Sequence, residues 1–187
     1  NGDLIVGDGV GDGDLVLDNV TIKGRLVVRG GGVNSIIIIG GSVEGKVVIA
    51  KVDGNIRVSV EGGADVEVIV VDDGEDVVII EGSINTVEVN VPDVPVIIRR
   101  ATIDAVKVNC EGAANITVEE DGNVANLIIG DKANGSTVNV KGRVENIETS
   151  APDTKISGTG KVGTVNDNEG ADNTSVTTPN TVVNNKG

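Results

Sequence analysis

The chain contains no Phe, Trp, Tyr, Met or His. Each absence removes a class of chemistry. Without His there is no Ser–His–Asp or Cys–His relay. With Cys110 as the single cysteine, no credible zinc ligand set remains and no intramolecular disulfide can form. Without aromatic rings a sugar has no stacking platform, and the core must be built from Val, Ile, Leu and Ala. Positive charge is also scarce: 15 Lys and Arg stand against 29 Asp and Glu, a formal charge of −14. Such a surface repels nucleic acid and anionic lipid, and favours divalent cations. No apolar run approaches the ~20 residues of a membrane-spanning helix. No stretch keeps apolar residues at i, i+3, i+4 and i+7 either, and 27 glycines interrupt throughout, so helix is nearly excluded. There is no initiator methionine or signal peptide. The chain opens mid-pattern at Asn1, which reads as a segment of something longer.

What is present is a repeat. The stretch RLVVRGGGVNSIIIIGGSVEG, residues 25–45, holds an apolar run, a Gly-rich corner, a second apolar run and a second corner. Shifted copies recur along the whole chain. First strands begin near Leu4, Leu26, Val47, Val68, Val87, Val106, Leu127, Ile147 and Val165, at intervals of roughly 18 to 22 residues, one turn of a β-solenoid. Corners follow in GDGVGDG, RGGGVNS, AKVDG, DDGED, VPDVP, CEGAA, DKANG and APDT. These are rich in Gly, Asn and Asp, which tolerate the left-handed backbone of a sharp bend. Second strands alternate with period two. Ile56, Val58 and Val60 point in while Arg57 and Ser59 point out, and Leu15 and Leu17 alternate with Val16. A short third strand such as residues 20–23 then closes most coils. A β-sandwich is the competing all-β arrangement. Against it stand the equivalence of the repeats and the lack of two-residue hairpins; Asn134–Gly135 sits where other coils have ordinary corners. Parallel crossovers are right-handed, so the expected fold is a right-handed parallel β-helix. It would have about eight or nine coils and be on the order of 40 Å long at ~4.8 Å per coil. A single solenoid domain spans 1–187, with a Gly/Asp-rich coil at 1–14 and a polar coil and end at 166–187 that blunts the open sheet edge.

The stretch VGDGVGDGDLVLDNVTIKGRLVVRGGGVNSIIII, residues 6–39, resembles the opening of β-helical repeat domains in large Gram-positive surface proteins that often carry S-layer-homology modules. ISGTGKVGTVNDNEGADNTSVTTPNTVV, residues 156–183, is similar to their closing coils. The resemblance implies the same right-handed β-helix and an extracellular place on the cell envelope. It brings no catalytic residues with it. The chain departs from the family at Val27 and Ile37, where the resemblance leads one to expect an outward Tyr and His, and the departure weakens a glycan-stacking role. The complete loss of aromatics, Met and His also fits an engineered or idealised version.

Several groups could carry chemistry. Asp8, Asp12 and Asp14 in GDGVGDGD resemble a calcium-binding Gly–Asp turn, but the pattern occurs once, and a bend rich in left-handed residues accounts for it more simply. Glu119, Glu120 and Asp121 form a lesser acidic group. A polysaccharide lyase would want Arg99 or Arg100 beside the carboxylates Asp72, Asp73, Glu75 and Asp76; the plainer expectation is an outward ladder arginine and a solvated corner. Cys110 shares the parity of Val106 and Val108 and reads as an inward, inert thiol. Three second strands are apolar on both parities, so Val27, Ile37, Ile39, Val77, Ile79 and Ile97 are candidates for an outward apolar ridge, and for self-association or contact with another cell-envelope protein. The expected function is a non-catalytic structural module, a cell-surface spacer or display unit, with no cofactor, metal, nucleic-acid partner or membrane insertion. The alternatives are a calcium-assisted polysaccharide-binding module and an engineered scaffold with no natural ligand.

Overall fold

The computed structural model describes residues 2–185; the ends of the two terminal segments above, at Asn1, Lys186 and Gly187, lie outside the described residues. Strands dominate and every strand pairing is parallel, winding into a β-solenoid of about nine turns. Each turn has three faces. The first is one continuous ladder in which Leu4, Leu26, Val47, Ile69, Val87, Val106, Leu127, Ile147, Val165 and Val183 stack in register. Every intermediate member is fully buried. The fourth strand begins at Val68, as predicted, and seats its rung on Ile69, which has the inward parity, while Val68 is half-buried. Two residues further along each strand a second inward column runs from Val6 through Val28, Ile49, Val71, Val89, Val108 and Ile129, then continues as Thr149, Asp167 and Asn185.

The second face stacks Ile56, Val78, Val96, Ile116, Val138, Ile156 and Val176. The third begins as the short strands Thr21–Ile22, Ser42–Val43 and Asp65–Val66. Above them the second-to-third or third-to-first corner is absorbed into long bent strands, Val78–Val89 and Pro95–Val108, and the inward column resumes as Ile84, Ile103, Val124, Val144 and Val162. The separate third strand expected in most coils is therefore distinct only in the first three. β-Branched residues dominate these columns because their stiff side chains pack well on a pleated surface.

The corner after the first face, together with the last turn before Val182, shows how the sequence writes the bend. In the turns 91–94, 133–136, 151–154, 171–174 and 178–181 the third residue is Asp93, Gly135, Asp153, Asn173 or Asn180, all at positive φ. Pro92, Pro152 and Pro179 stand just before three of them, where a fixed φ suits the turn. The fourth residue ties the turn back. Ser136 Oγ donates to the Ala133 carbonyl at 2.6 Å, and the Thr154 and Thr174 hydroxyls each donate to the carbonyl three residues earlier at 2.9 Å. Asn134–Gly135 is thus an ordinary corner, as its position in the repeat predicts.

Candidate functional site

The second face carries the most elaborate polar arrangement, and it is built around Glu81. By parity Glu81 points outward, paired with Ser59 below it, yet it is only 2% exposed. Three arginines enclose it. Arg57 Nη1 donates to its Oε2 at 2.8 Å, Arg99 Nε to Oε1 at 2.6 Å and Arg100 Nη2 to Oε2 at 2.6 Å. Two adjacent arginines reach one carboxylate because the ladder bulges there. Ile80 pairs with Ile98 but Gly82 pairs with Ala101, so Glu81 faces two residues instead of one. The extra residue, Arg100, takes a left-handed φ of 46°, and its backbone N–H donates to Asp121 Oδ1 at 2.9 Å. A bulge re-aims a side chain in this way. Burial works to raise the Glu81 pKa, but the three guanidinium hydrogen bonds outweigh it and hold the carboxyl below its ordinary value; Arg100 is raised in turn, chiefly by its hydrogen bond to Glu81. Arg57 also donates from Nη2 to the Asn34 carbonyl at 2.9 Å, and its buried Nε has no hydrogen-bond partner among the described residues.

This cluster stands among the outward isoleucines. Ile79 pairs laterally with Arg57 on one side and Ile97 on the other. Although its parity is outward, it is only 9% exposed. Ile37 and Ile39 pair with Ser59 and Glu61. The six candidate ridge residues do not form one open strip. Val27 lies on the first face, and Val27, Ile37, Ile39, Val77 and Ile97 are each half-buried. The ridge is broken into Ile37–Ile39 and Ile79–Ile97 by the Arg57, Ser59 and Glu81 row. On the first face, the outward Val70 is likewise closed off at 4% exposure: Lys46 and Glu88, from the coils on either side, pair across it at 2.8 Å. Large aliphatics that are openly exposed lie mostly in the first coil, at Leu4, Ile5, Val10, Val16 and Val20, and in the last, at Val182 and Val183, with Val33 and Val52 at corners between. The polar C-terminal end therefore leaves two apolar side chains on the open edge.

The other sequence candidates are dispersed. Asp8 pairs with Arg29, and Asp12 Oδ1 accepts from Lys51 Nζ at 2.8 Å. Two of the three calcium candidates are thus matched to cations, and no group of three or more metal-ligating side chains forms among the described residues. Lys51 is itself buried, at the inward corner position beneath an open depression of about 450 Å³. The lyase constellation is not assembled. Asp73 Oδ1 accepts from the Gly74 N–H and Asp76 Oδ2 from the Gly54 N–H, while both arginines turn to Glu81. Glu119 pairs with Lys141, and Asp121 is occupied by the Arg100 backbone. Cys110 is buried as its parity predicts; burial raises its thiol pKa, and Sγ donates to the Gly112 carbonyl at 3.2 Å. Glu81 itself escaped the sequence reading. Its signal was an outward charged position closing the apolar run 77–80, about one coil period from arginines on both sides.

No helix among the described residues is long and apolar enough to cross a membrane. Fold and surface together define a parallel β-solenoid repeat protein. Comparison with family models, with curated proteins and with solved structures gave no significant match.

Proposed function

We propose that the chain is a non-catalytic structural module, a stiff spacer or display unit, and that it acts at the cell surface, as the resemblance of its first and last coils to envelope proteins implies. The observation that supports this reading is the uninterrupted aliphatic column on the first face, from Leu4 to Val183. Each coil buries its apolar side only against the next, so stiffness propagates along the axis. Charged side chains follow the same logic. They pair across neighbouring coils, as Asp3 does with Arg25, Lys23 with Glu44 and Glu111 with Lys132, instead of converging on one cavity. Small-angle X-ray scattering tests the reading: a rigid module gives a rod-like profile whose longest dimension is unchanged by salt. Calorimetry against pectic and cell-wall glycans, with and without calcium, tests the competing binding role. Heat in either arm would replace the spacer reading with a glycan-binding one. Release of an unsaturated, ultraviolet-absorbing product from acidic glycans would replace it with a lyase.

A further inference from the structure

We propose that Glu81 and its three arginines form a latch over an interface between copies of this chain, on the second face around Ile37, Ile79 and Ile97. The inference rests on the structural-module reading and adds a control to its association surface. Its basis is geometric. Ile79 points outward by register and is nevertheless closed off, lying between Arg57 and the Ile97–Arg99 strand. Arginine stems cover apolar surface while their heads seek a counter-ion, and here all three heads find the same one. Remove the charge of Glu81 and three guanidiniums are left crowded together without their shared counter-ion, Arg57 keeping its bond to the Asn34 carbonyl and Arg99 and Arg100 losing the bond to Glu81. The groups facing Glu81 are Arg57, Ser59 and Glu61 from the strand Ile56–Glu61, and Arg99 and Arg100 from Pro95–Val108. Asp121 stands behind Arg100 from the next corner.

The occupant is a second copy because of how charge is laid out around the strip. Once Glu81 is neutral, the strip is bordered by uncompensated guanidiniums. On the Ile97 side it is bordered by Glu119, Glu120 and Asp121, which share a depression of about 510 Å³ with Ile97 and Arg99. A twofold axis through the strip sets the guanidiniums of one copy against the carboxylates of the other, an isologous and closed contact. The chain as a whole carries −14, so copies repel one another elsewhere and association is confined to this face.

The test is sedimentation velocity at neutral pH on the full chain, with circular dichroism to establish folding. Wild type is expected to remain monomeric. Glu81→Gln is expected to dimerise reversibly, with an apparent affinity at least about tenfold above wild type and with increased binding of an apolar dye. Adding Ile97→Lys to Glu81→Gln should restore the monomer. A folded Glu81→Gln that stays monomeric, or that associates regardless of Ile97→Lys, overturns the latch. Should Glu81→Gln fail to fold, Glu81→Met takes its place, since it also removes the charge while filling a similar volume, and the same outcomes decide. A negative result here leaves the rod-like scattering profile untouched, so failure of the latch and failure of the spacer reading are distinguishable.

Discussion

Glu81 is a carboxylate at 2% exposure whose four hydrogen-bond directions are mostly used by arginine. Replacing it with Gln removes one partner of a buried ion cluster, which is far costlier than never having had the cluster. Arg99 and Arg100 are partly exposed and recover water, so the expected loss is about 3 kcal/mol rather than the upper end for fully buried pairs; urea unfolding at neutral pH measures it. Ser136 offers a cleaner single-bond case. It accepts from the Ala114 N–H at 3.0 Å and donates to the Ala133 carbonyl, both within the interior. Ser136→Ala leaves a buried backbone N–H without a partner and should cost about 1–3 kcal/mol, whereas Ser175→Ala on the exposed surface should cost almost nothing. Cys110 gives a kinetic reading. A buried thiol with a raised pKa should react with a disulfide reagent only as fast as the coil opens, and prompt native-state labelling would contradict its placement.

At the scale of the coil, the backbone itself sets the tolerance of each corner. Gly158 has φ +122°, and a Cβ there would collide with the Val140 carbonyl of the coil below; Gly82, at φ +102°, faces Val60 in the same way. Gly63 shares the positive φ, +73°, but has open space around its would-be Cβ. Alanine at Gly63 should therefore cost about 1 kcal/mol of backbone strain, and alanine at Gly158 several times more, since two strands must separate. Thermal melts of the two variants rank them directly. Most of this level was legible beforehand. Period two in residues such as Ile56 to Val60 declares which side chains face inward, and Pro–Asp or Asn–Gly at the 18–22-residue spacing declares the corners. What was not legible came from departures from period and spacing. The bulge opposite Glu81 depends on one extra residue in one coil. The closure of outward isoleucines depends on long side chains reaching diagonally between coils, and a parity rule carries no information about that reach.

Across the whole molecule, most of the ion pairs link coils that the hydrogen-bond ladder already joins, and their carboxylates give the solenoid a defined response to acid. Glu81 is held below its ordinary value of 4.5, with burial opposing and the arginines prevailing. Asp3 is held low by its hydrogen bond to Arg25, and Glu111 by its hydrogen bond to Lys132. A depressed folded-state pKa means that the unfolded chain binds the proton more readily. The stabilisation is therefore fully present above the unfolded values, near 4.5 for Glu and 3.8 for Asp, and is lost as pH falls through the lower folded ones. Net charge changes over the same range: the chain passes through its isoelectric point near 4.3 and then becomes positive. Once pH falls through the lowered pKa of Glu81, the three guanidiniums around the protonated carboxyl add local repulsion to the global one. The urea midpoint should thus be nearly flat from neutral pH down to about 5 and should then drop steeply toward pH 3. In Glu81→Gln the drop should be visibly shallower, because the largest buried contributor is already gone. Exposed Asp3 and Glu111 face bulk solvent and are screened, so replacing either with its amide should leave the wild-type profile almost unchanged. A Glu81→Gln curve parallel to wild type throughout the acid limb would place the acid sensitivity outside this cluster.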